Sequence, residues 1–299
     1  MSSYVGIQSY LPLEIPVPCV SEILHTVAPD PRRLEPADNA VRLNPASLLV
    51  LSFTVRVFKR AQEENCYMVA HDKKYYEFFN SAGQSQTYIK RSLTPSEYLV
   101  NRAGRLVIPK KPKERLMNEV AAIRYVQRHT NIPTPNIRCA FEDHGRYYII
   151  TDTVPGVVMV GLSEDQKAIV KKELEGYIKE MHSITSKTMG GTSGDICLPH
   201  RLENAISHED LAVLKFRDAD TPKFVFCHND LSQYNVIVDE TTLKVNAIID
   251  WEYAGFYPPE FDWPFYTRKG PSGAIGNEED DVPKLLAIVD EWRMVEVVA

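Results

Sequence analysis

The 299-residue chain has few of the features that would make it secreted, nucleic-acid-binding or membrane-spanning. Its five cysteines, Cys19, Cys66, Cys139, Cys197 and Cys227, are odd in number and contain no C-x-x-C pair. Neither a disulfide framework nor a zinc site is suggested, and a reducing compartment fits. Basic residues number 34 against 40 acidic ones, a net charge of −6, so the chain offers no broad positive field to a phosphate backbone. Nucleic acid is not an expected partner. The most apolar run, residues 48–58, contains Ser52 and Arg56 and is far short of the ~20 residues that span a bilayer. The first residues have no positive region and are broken by prolines, unlike a secretory signal. These absences lead us to expect a cytoplasmic protein with no membrane partner. Glycine is also sparse: before Lys110 there are only Gly6, Gly83 and Gly104, and none belongs to a G-x-G-x-x-G loop.

The remaining composition, 44% hydrophobic, 25% charged and 10% aromatic, is that of an ordinary globular protein, and the length suits one large domain or two small ones. Three regions differ in character. Residues 1–45 are rich in proline and acidic side chains and read as an extended lead-in. Residues 46–154 carry the β-branched and aromatic runs SLLVLSFTVRVF, CYMVA, KYYEFF, TYIK and RLVIP, a small sheet lobe. Within it, Leu116, Val120, Ile123 and Val126 lie at helical spacing over Arg115 to His129, and the prolines of TNIPTPN end that helix. Ile137 to Ala140 and Tyr147 to Thr151 flank the polar turn EDHGR as a hairpin, and DTVPG follows as a linker. Residues 155–299 read as a helical lobe. Its first helix is opened by a capping box of Ser163 and Gln166 and buries Val170, Leu174, Tyr177, Met181 and Ile184. Three short strands, FVFC, NVIVD and KVNAIID, interrupt this lobe.

The chemistry lies between those strands. HNDLSQYN joins FVFC to NVIVD and sets His228, Asp230 and Asn235 in the pattern H-x-D-x-x-x-x-N, while the run VNAII ends in Asp250. Phosphoryl transfer needs such a set: one carboxylate to meet the acceptor hydroxyl, and a second carboxylate plus an amide oxygen to hold Mg²⁺. Each residue alone is compatible with an ordinary turn or strand end; the three in this strand order point to catalysis.

HNDLSQYNVIVD followed by AIIDWEYAGFYPPEFD resembles the catalytic segment of the aminoglycoside phosphotransferase and choline kinase group, in particular its large fungal branch. TNIPTP, YYIITDTVPG and the long helix extend the resemblance over Arg105 to Arg268. It implies an α+β fold of the two-lobed protein-kinase-like type, with a small antiparallel sheet lobe and a mainly helical lobe. It also implies a phosphotransferase that uses ATP and Mg²⁺ to phosphorylate a hydroxyl of a small molecule. Carried over residue by residue, Asp230 becomes the catalytic residue that orients and deprotonates the acceptor hydroxyl, and Asn235 and Asp250 become the Mg²⁺ ligands. Glu119 becomes the helix glutamate that locks a phosphate-binding lysine, for which Lys110 is the candidate, with Lys111 and Lys113 close by. The adenine edge falls on the backbone of Asp152 to Val154. Asp262 supports the catalytic loop, Glu252 faces a cationic acceptor or forms a structural salt bridge, and His228 is structural. Asn80 to Gln86 is the candidate phosphate loop, although a hairpin turn explains it equally well. The unusual lysine strand and the missing glycine loop leave a nucleotide-binding regulatory module as another reading, and a kinase-fold enzyme repurposed for other chemistry, its fold retained and its function changed, is a third.

Overall fold

The computed structural model describes residues 63–101, 103–202 and 205–294. The lead-in expected over residues 1–45 and the strand expected in SLLVLSFTVRVF lie outside them.

The sheet lobe is built from β1 (Cys66–Val69), β2 (Lys73–Phe79) and β3 (Ser85–Ser92), a two-strand ribbon of β4 (Leu99–Val100) and β5 (Leu106–Val107), the helix α1 (Pro112–His129), and the hairpin β6 (Ile137–Asp143) and β7 (Arg146–Asp152). The main sheet has the order β1-β2-β3-β7-β6, with every neighbouring pair antiparallel. Its register puts Tyr75 opposite Lys90 and Glu77 opposite Tyr88. Period-two alternation therefore places Lys73, Tyr75, Tyr88 and Lys90 on one face. Two left-handed residues, His144 (φ 46°) and Gly145 (φ 74°), close the β6–β7 hairpin, as expected from EDHGR. The strand expected at RLVIP is only Leu106–Val107 and pairs with β4 outside the main sheet. Pro109 has no N–H for a ladder and ends the extended run before Lys110. Pro112 then starts α1 at the helix position where a missing N–H costs nothing.

α1 couples the two lobes. Leu116 and Val120 pack on Ile149 of the sheet. One turn on, Ala122, Ile123 and Val126 enter a second core with Val170 and Leu174, Phe226, Val236, Ile248 and Trp251. Asn118 Nδ2 donates to the carbonyls of Glu252 and Ala254 at 3.0 and 2.8 Å.

The helical lobe comprises β8 (Val157–Val158), α2 (Glu164–Ser183), β9 (Thr185–Ser186), β10 (Gly190–Gly191), α3 (His208–Val213), β11 (Phe224–Cys227), β12 (Val236–Val238), β13 (Val245–Ile248), β14 (Gly255–Tyr257) and α4 (Val282–Trp292). Two small antiparallel sheets, β10-β14-β11-β9 and β13-β12-β8, carry the loops that matter below. The capping box at Ser163 and Gln166 forms as expected, and Val170, Leu174 and Met181 are fully buried while Tyr177 is half-buried. The linker crosses between the lobes at Gly156, whose φ is 127° and where a Cβ would lie 2.4 Å from the Val238 carbonyl oxygen; only glycine fits. Among the described residues no helix is long and apolar enough to cross a membrane.

Candidate active site

The catalytic loop links β11 to β12, and the β12–β13 hairpin fixes its partner. Val236 pairs with Ile248, and the Ile249 N–H donates to the Asn235 carbonyl at 2.9 Å. This register sets Asn235 beside the end of β13, where Asp250 turns out of the strand at φ 68°. Asn235 Nδ2 donates to the Asp230 carbonyl at 2.7 Å and to its carboxylate at 3.0 Å. Asp230, Asn235 and Asp250, separate in sequence, thus form one constellation of oxygen donors.

The cation facing it is Lys90. Its ammonium, on the inner face of β3, donates to Glu119 Oε1 at 2.7 Å and to Asp250 Oδ1 at 2.8 Å. The expected pair of Lys110 with Glu119 does not form. Lys110 lies in the irregular approach to α1, and its ammonium donates to the Ile206 carbonyl of the helical lobe. The sequence signal for Lys90 was the run TYIK, an alternating strand with a lysine on its inward face.

The charges are unequal. Burial pushes the Asp230 carboxyl up to about 7, reinforced by the negative charge of Asp250, while contacts with Ser272 and Asn235 act downward. Burial acts upward on Asp250 too, but Lys90 and then Lys73 outweigh it and hold this acid below its ordinary value. Glu119 moves the other way because burial exceeds its share of Lys90, and its Oε2 is buried without a partner. Asp250 has the larger share of Lys90 and the field of Lys73 besides, which explains the split.

A layer beneath holds the loop rigid. The His228 ring packs at 4.5 Å on Trp251. Its Nδ1 accepts the Asp230 N–H at 3.2 Å, which leaves Nε2–H to donate to the Ile249 carbonyl at 3.1 Å. This arrangement requires neutral imidazole, and burial favours that form by lowering the His228 pKa. Asn229, left-handed at φ 68°, donates its N–H to Asp262 Oδ1 at 3.0 Å, and His182 meets the other Asp262 oxygen at 3.1 Å. Arg201 donates to the Asn229 and Phe261 carbonyls at 3.2 and 2.7 Å.

Glycine is absent from the turn between β1 and β2, Ala70-His71-Asp72, which closes with Ala70 N–H on the Lys73 carbonyl at 2.8 Å. Lys73 reaches from it to both oxygens of Glu252, at 2.7 and 2.6 Å, and to Asp72 at 3.0 Å. Arg115 completes a buried network with Asp72 and the Tyr253 hydroxyl. Glu252 is thus engaged in a salt bridge between the lobes and does not face an acceptor. The Asn80 to Gln86 segment instead forms the exposed β2–β3 turn, with Asn80 Oδ1 accepting from Ala82 and Gln84. In the linker, the Asp152 N–H is spent on the Asn136 carbonyl and that of Thr153 on the Gln86 carbonyl; Val154 follows, half-buried. The Asp152 carboxylate is held by Asn136 and Arg138.

With this geometry in view, the model of the phosphotransferase enzyme family, APH, matches residues 79–264, a span that includes Lys90, Glu119, Asp230, Asn235 and Asp250. The chain belongs to that family. Similar solved structures include a thermostable mutant of aminoglycoside phosphotransferase APH(4)-Ia in ternary complex with AMP-PNP and hygromycin B. It is 15% identical, with 73% of this chain and 74% of that one covered and a TM-score of 0.43. APH(3'')-Id from Streptomyces rimosus, in complex with ADP and streptomycin, is 15% identical over 62% of this chain and 71% of that one, with a TM-score of 0.41. Aminoglycoside-3'-phosphotransferase of type VIII is 18% identical over 67% and 76%, with a TM-score of 0.42. No curated protein sequence matches the chain.

Proposed function

We propose that this phosphotransferase moves the γ-phosphoryl group of ATP, with Mg²⁺, onto a hydroxyl group of a small molecule. The observation that carries the reading is the meeting of Lys90 with Glu119 and Asp250, beside an Asp230 whose carboxylate is oriented by Asn235. Lys90 binds the α and β phosphates and Glu119 fixes it against the sheet. Asp230 accepts the proton of the acceptor hydroxyl; an acid held up to about 7 changes protonation near neutral pH, where a general base is most effective. The base of the nucleotide lies against the linker backbone from Asp152 to Val154. We assign residues 46–154 to nucleotide binding and 155–299 to the catalytic loop and acceptor, in a cytoplasmic protein whose described cysteines are all free.

The donor set fits Mg²⁺. Asn235 spends its amide N–H groups on Asp230, which leaves its Oδ1 as an acceptor, and Asp250 gives only one oxygen to Lys90. The negative charge of Asp250 raises the proton affinity of Asp230, a repulsion that a divalent cation relieves, and both acids offer the hard oxygens it prefers. Bound by Asn235 and Asp250, the ion would neutralise charge on the transferring phosphate.

The test is phosphate transfer from Mg·ATP to a panel of hydroxylated small molecules, with Asp230→Asn as control. Asp230→Asn should lose about 10²- to 10⁴-fold in rate yet keep the thermal stabilisation that Mg·AMP-PNP gives the wild type. Wild-type turnover by the variant removes Asp230 from its role. The glycine-free turn locked by Lys73 and Glu252 favours a second reading, a nucleotide-binding module, whose signature is stabilisation by nucleotide without turnover.

A further inference from the structure

The segment after the last loop of the active site brings a serine back to the catalytic base. At Pro271-Ser272-Gly273 the Gly273 N–H donates to the Pro271 carbonyl at 3.0 Å, a three-residue turn with Ser272 at its apex. Arg268 clamps the turn from both sides, donating to the Pro271 carbonyl at 2.9 Å and the Gly273 carbonyl at 2.7 Å. Its guanidinium is fixed by Glu278 at 2.7 and 2.8 Å and packs over Phe265. Glu278 also accepts the Ile275 N–H at 3.0 Å, which ties down the far side of the loop.

This clamped turn lies on the catalytic loop. A Cβ at Gly273 would stand 3.9 Å from the Arg201 Cβ, and Arg201 holds the carbonyl of Asn229, the residue before Asp230. The Ser272 hydroxyl is buried without a hydrogen-bond partner, and it lies close enough to the Asp230 carboxylate to favour its charged form. Serines in turns can bond to nearby backbone, and the Ser272 hydroxyl does not. Here an ordered scaffold of Arg268 and Glu278 presents a hydroxyl to the group that deprotonates hydroxyls.

We propose that Ser272 is a phosphoryl acceptor for the chain's own active site. The proposal rests on the phosphotransfer reading above and names ATP as the donor. Ser272 Oγ attacks the γ-phosphorus of ATP, the bond from that phosphorus to the β-phosphate bridging oxygen breaks, and ADP leaves. The hydroxyl proton passes to the Asp230 carboxylate and from there to water. The product places a dianion beside Asp230, from which it is repelled, and within the loop that carries Arg268 and Lys269.

The experiment uses the full chain with Mg·ATP, intact-mass measurement and fragmentation to locate phosphate. One phosphoryl group per chain on Ser272 is expected, at a rate per molecule independent of protein concentration, because the transfer is intramolecular. Ser272→Thr should keep the modification, and Asp230→Asn should abolish it. Ser272→Ala should also abolish it, with stabilisation by Mg·AMP-PNP verifying that this variant is folded. A wild-type chain that binds Mg·AMP-PNP and transfers phosphate to added acceptors, yet leaves Ser272 unmodified, overturns this proposal alone. Phosphate on another residue, or a rate per molecule that rises with protein concentration, overturns it as well. Absence of both nucleotide stabilisation and transfer overturns the phosphotransfer reading together with it.

Discussion

At the scale of single residues, two lysines have exchanged places relative to their spacing in the sequence. Lys90 meets Glu119 and Asp250, whereas Lys110 serves a carbonyl of the helical lobe. Lys90→Ala should therefore lower kcat/KM for ATP by about 10²- to 10³-fold, the scale set by removing one charge-stabilising donor. Lys110→Ala should stay close to wild type; equal losses in the two variants would contradict the assignment. Asp230 gives a second residue-scale prediction. In metal-free protein its native pKa of about 7 exceeds the ordinary 3.8, so the native state binds more protons than the unfolded chain between those values. Its contribution is fully present below 3.8 and is lost as pH rises through about 7. Melting curves in chelator should show wild type losing stability relative to Asp230→Asn over that window, and parallel curves would contradict the shift.

At the scale of elements, legibility followed distance along the chain. Asp230, Asn235 and Asp250 are carried by three consecutive strands, β11 to β13, and the short segments that join and follow them, so fixed spacings expose them in the sequence. Lys90 and Glu119 are 29 positions apart, joined across a strand and a helix with a ribbon of β4 and β5 between, and no spacing rule links them. Lys110, nine positions before Glu119, imitated that partnership because a strand run and a basic turn preceded the helix. Local chemistry marked the helices and turns well: the Ser163 capping box, the β6–β7 turn and the buried stripe of α2 stand where their residues put them. The placement of the Ser272 turn left no sequence signal, since it depends on Arg268 and Glu278 meeting within an irregular loop. The cap also yields a prediction. Ser163→Ala removes the acceptor for the Gln166 N–H and should cost about 1 kcal/mol in a denaturant titration; an unchanged midpoint would mean the helix start is held by packing alone.

At the scale of the whole molecule, the sheet and helical lobes are joined by α1, by the linker at Gly156 and by buried charge. The Lys73 and Glu252 side chains are 4% and 5% exposed, so removing one partner leaves the other's charge short of a counter-ion in a poor solvent. Glu252→Gln should destabilise the protein by about 3–5 kcal/mol. The double variant Lys73→Met/Glu252→Gln should recover much of that loss, a coupling read from urea titrations of the two singles and the double. Additive losses would show that the pair does not act as a unit.

The same bridge has a kinetic meaning. Parting the lobes breaks the bonds from Lys73 to Glu252, and these are hidden from salt. If a nucleotide enters only when the lobes part, its entry is a first-order opening followed by capture. In a stopped-flow mixing experiment the observed rate should level off as ATP is raised, at a plateau insensitive to ionic strength and raised by Glu252→Gln. A rate that keeps climbing linearly with concentration would mean that the entrance is always open.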